Sequence, residues 1–199
     1  RRYLNDLNST IIYNDLENRY NIRKKDVFER IVDYILVSNA RIFSAKSIAD
    51  YMQGQNITIT VPTVIKYLDY LKEAYVIEEV PLYSPKTKAK MSYYHKLYDE
   101  DVSMNSIRAE SRRYDLTHNL ENIVYNELVY RGYEISVYNH KGREIDFRAS
   151  KDGKLYLIQV AYSVAERKAY DREFSAFASI DNAMKKILIT NDDIDYSTS

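Results

Sequence analysis

Leu120-Glu121-Asn122-Ile123-Val124-Tyr125-Asn126-Glu127-Leu128, Glu144-Ile145-Asp146-Phe147 and Leu157-Ile158-Gln159-Val160-Ala161 decide how this chain is read. In the first, Leu120, Ile123, Val124 and Leu128 recur at helical spacing, and Gly132 follows where a left-handed C-terminal cap belongs. The other two read as strands, preceded by Ile135-Ser136-Val137-Tyr138 and separated by the turn residues Asp152-Gly153. This arrangement puts one carboxylate on a helix, Glu121, a second on a strand, Asp146, and a polar residue, Gln159, two positions before Ala161. Side chains alternate along a strand, so Gln159 and Ala161 share a face.

Downstream, Tyr170, Phe174, Phe177 and Ile180 form one stripe of a helix, and Lys186-Ile187-Leu188-Ile189-Thr190 reads as a last buried strand. The order α-β-β-β-α-β makes a small α/β layer with helices against a mixed sheet. Upstream the pattern differs. Leu7, Ile11, Ile12 and Leu16 mark one helix, and Val27, Phe28, Ile31, Val32, Ile35 and Leu36 a second beginning at Lys25. Ser44 is placed to cap a short helix that Gly54 closes, and Thr60 to cap another with Pro62 in its first turn. After Ala74 the periodicity becomes extended: Tyr75–Val80 and Met91–Tyr98 flank a Pro85–Lys90 turn.

Three helices and a hairpin predict a winged helix, whose third helix enters the major groove in DNA-binding examples. Its outward residues here are Thr63, Lys66 and Tyr70. The hairpin tip adds Lys86, Lys88 and Lys90, suited to phosphate contacts that carry affinity without sequence choice. The groove-facing positions lack Arg, Asn and Gln, the usual base readers. Between the halves, Ser106–Arg113 is polar and dense in charge and reads as a linker or short exposed helix. The boundary is placed near Asn105, giving domains 1–104 and 105–199.

Lys plus Arg and Asp plus Glu number 29 each, and the two halves are nearly balanced, so global charge points to no polyanion or membrane partner. There is no Cys, hence no disulfide framework and no Cys-type zinc site. No apolar run is long enough to span a membrane, and the start resembles no signal peptide, so a cytoplasmic protein is expected. The chain does not begin with Met and is expected to be part of something longer.

On Leu120–Leu128, Glu144–Phe147, Ile158-Gln159-Val160-Ala161-Tyr162 and Arg172-Glu173-Phe174, with weaker matches at Tyr3–Leu7 and Leu97-Tyr98 with Asp101, the chain resembles the C-terminal part of a bacterial and archaeal family of predicted AAA+ ATPases. Ser103 stands where that family usually has Gly. The resemblance implies an α+β or α/β chain: an N-terminal winged helix, then a domain of unknown function with a PD-(D/E)XK, restriction-endonuclease-like mixed sheet. It also implies an ATP-binding module in the parent protein, since no Gly-x-x-x-x-Gly-Lys-Ser/Thr run occurs in these residues.

In the resembled fold a helix Glu, a strand Asp and the acid of an acid-x-Lys strand hold Mg²⁺, which neutralises developing charge and activates water. Glu121 and Asp146 match the first two positions. Gln159 replaces the third carboxylate and Ala161 the Lys, which removes one negative ligand and the only cation from the reaction centre. Lys168, Lys141 and Arg143 are possible substitutes. Glu121, Asp146 and Gln159 are therefore read as a degenerate site, with Glu121 and Asp146 a weak Mg²⁺ candidate and no other cofactor expected. Three functions follow in order: a DNA- or macromolecule-binding accessory module of an ATPase, a Mg²⁺-dependent endonuclease using Glu121 and Asp146, and a structural module mediating oligomer or protein contacts.

Overall fold

The computed structural model describes residues 2–84, 89–108, 115–140, 143–178, 180 and 184–194, and leaves the side chains of residues 13, 89–93, 140 and 143 undescribed. The chain is mixed α/β and divides into two compact units, Arg1–Glu79 with Tyr93–Asp115, and Val80–Ser92 with Leu116–Ser199. No helix among the described residues is long and apolar enough to cross a membrane.

In the first unit, α1 (Arg2–Asn8) runs through a π-helical segment (Ser9–Leu16) into the short turn α2 (Glu17–Arg19). Asn8, Ile12 and Leu16 are all buried at an unbroken spacing of four. On an α-helix residues four apart drift by about 40°; the wider π turn keeps them closer to one line. The sequence shows the helix but not this change of pitch. Next come α3 (Lys25–Val37), β1 (Ile42–Phe43), α4 (Ala45–Gly54) and α5 (Val61–Glu73). Helix α3 buries Phe28, Ile31, Val32, Ile35 and Leu36, and α5 buries Val64, Tyr67, Leu68 and Leu71, matching both expected stripes.

Both expected caps form. The Ser44 hydroxyl accepts from the Ser47 N–H, the Ser47 hydroxyl accepts from the Ser44 N–H, and the Thr60 hydroxyl accepts from the Thr63 N–H. Strand β1 has only two residues, too few to show alternation in sequence; it pairs antiparallel with Lys96 and His95.

Strands β2 (Ile77–Ser84) and β3 (Ala89–Asp99) are each shared between the units. Lys86 and Lys88 lie outside the described residues; Lys90 falls on β3, its side chain undescribed. The stretch expected to be a linker or short exposed helix begins inside a helix, and its exposure is what the structure corrects. Residues Ser103–Arg108 form α6, with Met104 and Asn105 buried. The Asn105 amide donates to Asn39 Oδ1 at 3.2 Å. The Arg108 side chain, 6% exposed, donates to Asn8 Oδ1 at 2.6 Å and pairs with Asp33. Arg108 is thus an internal tie, not a solvated linker residue. The first unit extends to Asp115, past the boundary expected at Asn105. Charge density hid this because Asn105 and Arg108 find their partners in Asn39, Asn8 and Asp33, distant in sequence. Arg112 and Arg113 lie outside the described residues.

The second unit holds α7 (Leu116–Tyr130), β4 (Glu134–His140), β5 (Arg143–Lys151), β6 (Lys154–Ala161), α8 (Arg167–Phe177) and β7 (Lys185–Thr190), the expected order. Strands run β2-β4-β5-β6-β7. The β2/β4 and β6/β7 pairs are parallel, while β4/β5 and β5/β6 are antiparallel. Gly132 closes α7 at φ 77° and Gly153 sits in the β5–β6 turn at φ 74°, conformations that a side chain strains. Between Ser136 and Tyr138 the β4/β5 register shifts, so Asp146 and Phe147 together oppose Val137. This is a β-bulge, and it changes which way the strand's side chains point. Phe147 stacks on Tyr125 of α7, whereas Ile145 joins Tyr138, Leu157, Phe177 and Ile180 in a separate cluster beside α8.

Two stability measurements check this account. Replacing Arg108 by Ala leaves Asn8 and Asp33 without their donor, and chemical denaturation should register a loss of roughly 2 kcal/mol. Asp99 is 1% exposed, and burial, aided by Asp101, pushes its carboxyl well above the usual range. A raised folded value means stability that is full below the unfolded pKa of about 4 and falls as pH rises through the folded one. Asp99→Asn should therefore flatten the decline in urea midpoint as pH rises above about 4.

Candidate functional site

The site forms where β5 and β6 part. Their backbone pairing runs from Lys151↔Lys154 to Phe147↔Ile158 and stops. One step further, Asp146 and Gln159 face each other with side chains in place of ladder bonds. The Asp146 N–H donates to Gln159 Oε1 at 3.3 Å, and the Val160 N–H donates to Asp146 Oδ2 at 2.9 Å. A buried backbone donor without an acceptor is costly, so both side chains satisfy the strands that carry them. The bulge at Asp146 and Phe147 is what frees Asp146 for this role.

Helix α8 adds the next link. Gln159 Nε2 donates to Glu173 Oε2 at 3.0 Å, and Arg172 Nε donates to Glu173 Oε1 at 2.8 Å. Glu173 is 7% exposed, while the Arg172 side chain is 73% exposed, so a buried carboxylate is held by an amide on one side and a surface guanidinium on the other. The Gln159 amide uses both of its ends: its oxygen accepts from a backbone N–H and its nitrogen donates to a carboxylate. An ionised Glu at 159 could do the first but not the second. Ala161 is buried and pairs with Thr190 across β6/β7.

Of the three residues read as a site, Asp146 and Gln159 come together. Glu121 is buried on α7, which packs on β6 and β4. Among the described residues no three His, Cys, Asp or Glu side chains group as ligands for a metal ion. Asp146 Oδ2 accepts from the Val160 N–H, and the Gln159 amide at the third position is tied to Glu173. Among the proposed substitute cations, Lys168 is exposed, Lys141 lies outside the described residues and the Arg143 side chain is undescribed. Arg148 lies over the Tyr83 ring at 4.4 Å.

Arg172 and Glu173 enter the sequence reading only as part of the family resemblance, with no role at the site. The signal was present: Glu173 falls three residues after Tyr170 and four before Phe177, a carboxylate inside an apolar stripe. Asp192, just beyond β7, accepts from the Val164 N–H at 2.8 Å.

On α5, Lys66 is exposed as expected, its amine 5.7 Å from the Tyr70 ring centre. Tyr70 is not free to face outward. Its ring stacks on Tyr20 at 3.5 Å with planes 7° apart, and the Tyr20 hydroxyl donates to Glu73. Thr63 is half-buried, its hydroxyl 2.9 Å from that of Thr60.

Two family profiles match. Residues 117–199 match a domain of unknown function, DUF4143, and residues 1–111 match a second, DUF8612. An uncharacterized protein of Haemophilus influenzae is 25% identical over 187 residues, covering 94% of this chain and 46% of the relative. The uncharacterized protein MJ1544 of Methanocaldococcus jannaschii is 30% identical over 193 residues, covering 92% of this chain and 42% of the relative. The chain thus spans less than half the length of these relatives. No solved structure matches it. Because the profile over residues 1–111 takes in more than half of its 199 residues, the chain belongs to the DUF8612 family of domains of unknown function.

Proposed function

We propose that this chain is a non-hydrolytic binding module, a winged helix followed by a nuclease-like domain whose metal site has been converted into a structural bridge. The observation that carries this reading is the Gln159 amide, which joins the Asp146 N–H to the Glu173 carboxylate. A Mg²⁺ site needs carboxylates facing an ion and its waters. Here one such position is an amide whose oxygen and nitrogen are both engaged, and the strand Asp accepts from the Val160 N–H.

The element order α3-β1-α4-α5-β2-β3 supports the winged-helix reading. With Tyr70 under Tyr20 and Thr63 near its own cap, Lys66 is the exposed member of the three residues assigned to the groove. Nucleic-acid contact would then lie with the backbone, through Lys66 and the hairpin lysines Lys86, Lys88 and Lys90. Relatives more than twice as long as their matched stretch leave room for the ATP-hydrolysing module that the family resemblance implies. In this reading the chain couples that module to DNA.

Duplex DNA affinity should fall steeply with salt. Replacing Lys86, Lys88 and Lys90 together by Ala should reduce the slope of log affinity against log salt by about 3. An unchanged slope would remove the hairpin from the interface, and no binding at low salt would favour a protein partner. In Mg²⁺ or Mn²⁺, wild type and Asp146→Ala should leave DNA equally intact; cleavage lost in the variant would restore the endonuclease reading.

A further inference from the structure

Strand β7 ends the sheet: it pairs with β6 on one side and with no strand on the other among the described residues. Its six residues pair in unbroken parallel register, Tyr156↔Lys185 to Ala161↔Thr190. Ile187, Leu188 and Ile189 are each only partly buried, whereas Leu157, Ile158, Val160 and Ala161 on the neighbouring strand are buried. Natural sheets protect such an edge with a bulge, a proline or a charge in mid-strand. Between Ile187 and Thr190 there is no charge and no Pro, and the ladder has no bulge. The two lysines stand at the start of the strand, so among the described residues none of these devices falls within its apolar part.

The charges flanking that part are opposite in sign. Lys185-Lys186 precede it and Asp192-Asp193 follow it. Beyond the strand, the Asn191 N–H still donates to the Tyr162 carbonyl at 3.1 Å, so the backbone keeps its alignment with β6 for one more residue. Lys185 and Asp193 are both exposed, and neither forms an ion pair among the described residues. An antiparallel copy of this segment, turned about a two-fold axis at Ile189, sets Ile189 against Ile189 and Ile187 against Asn191. It also brings each Lys185 to the other copy's Asp193. A two-fold contact is isologous, so every favourable pair occurs twice.

We propose that the outer edge of β7 is a self-association surface, at which a second copy of this chain adds its own β7 antiparallel and extends the sheet across the two-fold axis. Main-chain hydrogen bonds along Ile187–Thr190 supply the affinity, and the Lys185–Asp193 pairs select the antiparallel direction over the parallel one, which would set like charges together.

Sedimentation velocity of the 199-residue chain over a range of concentrations tests this. The wild type should show a monomer–dimer equilibrium. Lys185→Asp and Asp193→Lys should each weaken dimerisation by about tenfold, and the double variant should return it to near the wild-type value. A chain that sediments as a monomer throughout, which would leave the edge to a foreign strand, overturns the proposal. So does a dimer indifferent to both reversals, or one that the double variant fails to restore. Neither residue belongs to the Asp146–Gln159–Glu173 cluster or to the DNA-contacting lysines, so the outcome is independent of the proposed function.

Discussion

Where β5 and β6 part, the N–H groups of Asp146 and Val160 still need acceptors, and that requirement organises the second unit. The bulge opposite Val137 turns Asp146 so that its carboxylate receives Val160, and Gln159 closes the other half of the gap with its amide oxygen. The remaining amide nitrogen reaches Glu173, which ties the open end of the strand pair to α8. Arg172 then covers Glu173 from the surface. Two of the groups in this chain, the Asp146 carboxylate and the Gln159 amide, stand at positions that a metal centre uses in the resembled fold, and here both bond to the protein itself.

The first unit shows a related economy of groups. Its core is apolar, but its edges are closed by polar residues satisfying one another: Ser44 with Ser47, Asn105 with Asn39, and Arg108 with Asn8 and Asp33. Tyr20 lies flat on Tyr70, so part of the α5 face that would meet a groove is packed against the chain's own N-terminal segment. Of the three α5 residues assigned to a groove, Lys66 stays exposed, and the proposed phosphate contact rests on it.

Much of the fold was legible because it rests on periodicity and caps. The stripes of α3 and α5, the Ser44 and Thr60 caps, and the order α7 to β7 all follow from local pattern. The π-helical pitch of Ser9–Leu16, the two-residue β1 and the burial of α6 were not legible, because each depends on partners distant in sequence. The site was half visible. Asp146 and Gln159 stood at matching strand positions, but that Gln159 would bridge to Glu173 depends on how α8 packs, so Glu173 stood out in the resemblance without a role at the site. Tyr70 shows the same limit: helical spacing places it outward, and Tyr20, fifty residues earlier, stacks on its ring.

The central claim is that the Gln159 amide is a structural bridge. Thermal unfolding of wild type and Gln159→Glu between about pH 4 and 7 tests it, since this change keeps the shape and the acceptor but sets a second carboxylate against Glu173. The account predicts a variant less stable at pH 7 by on the order of 2 kcal/mol. The deficit should shrink as pH falls through the carboxylate range, because a shared proton restores the missing donor. A variant as stable as wild type at pH 7, with no dependence of the difference on pH, would contradict it.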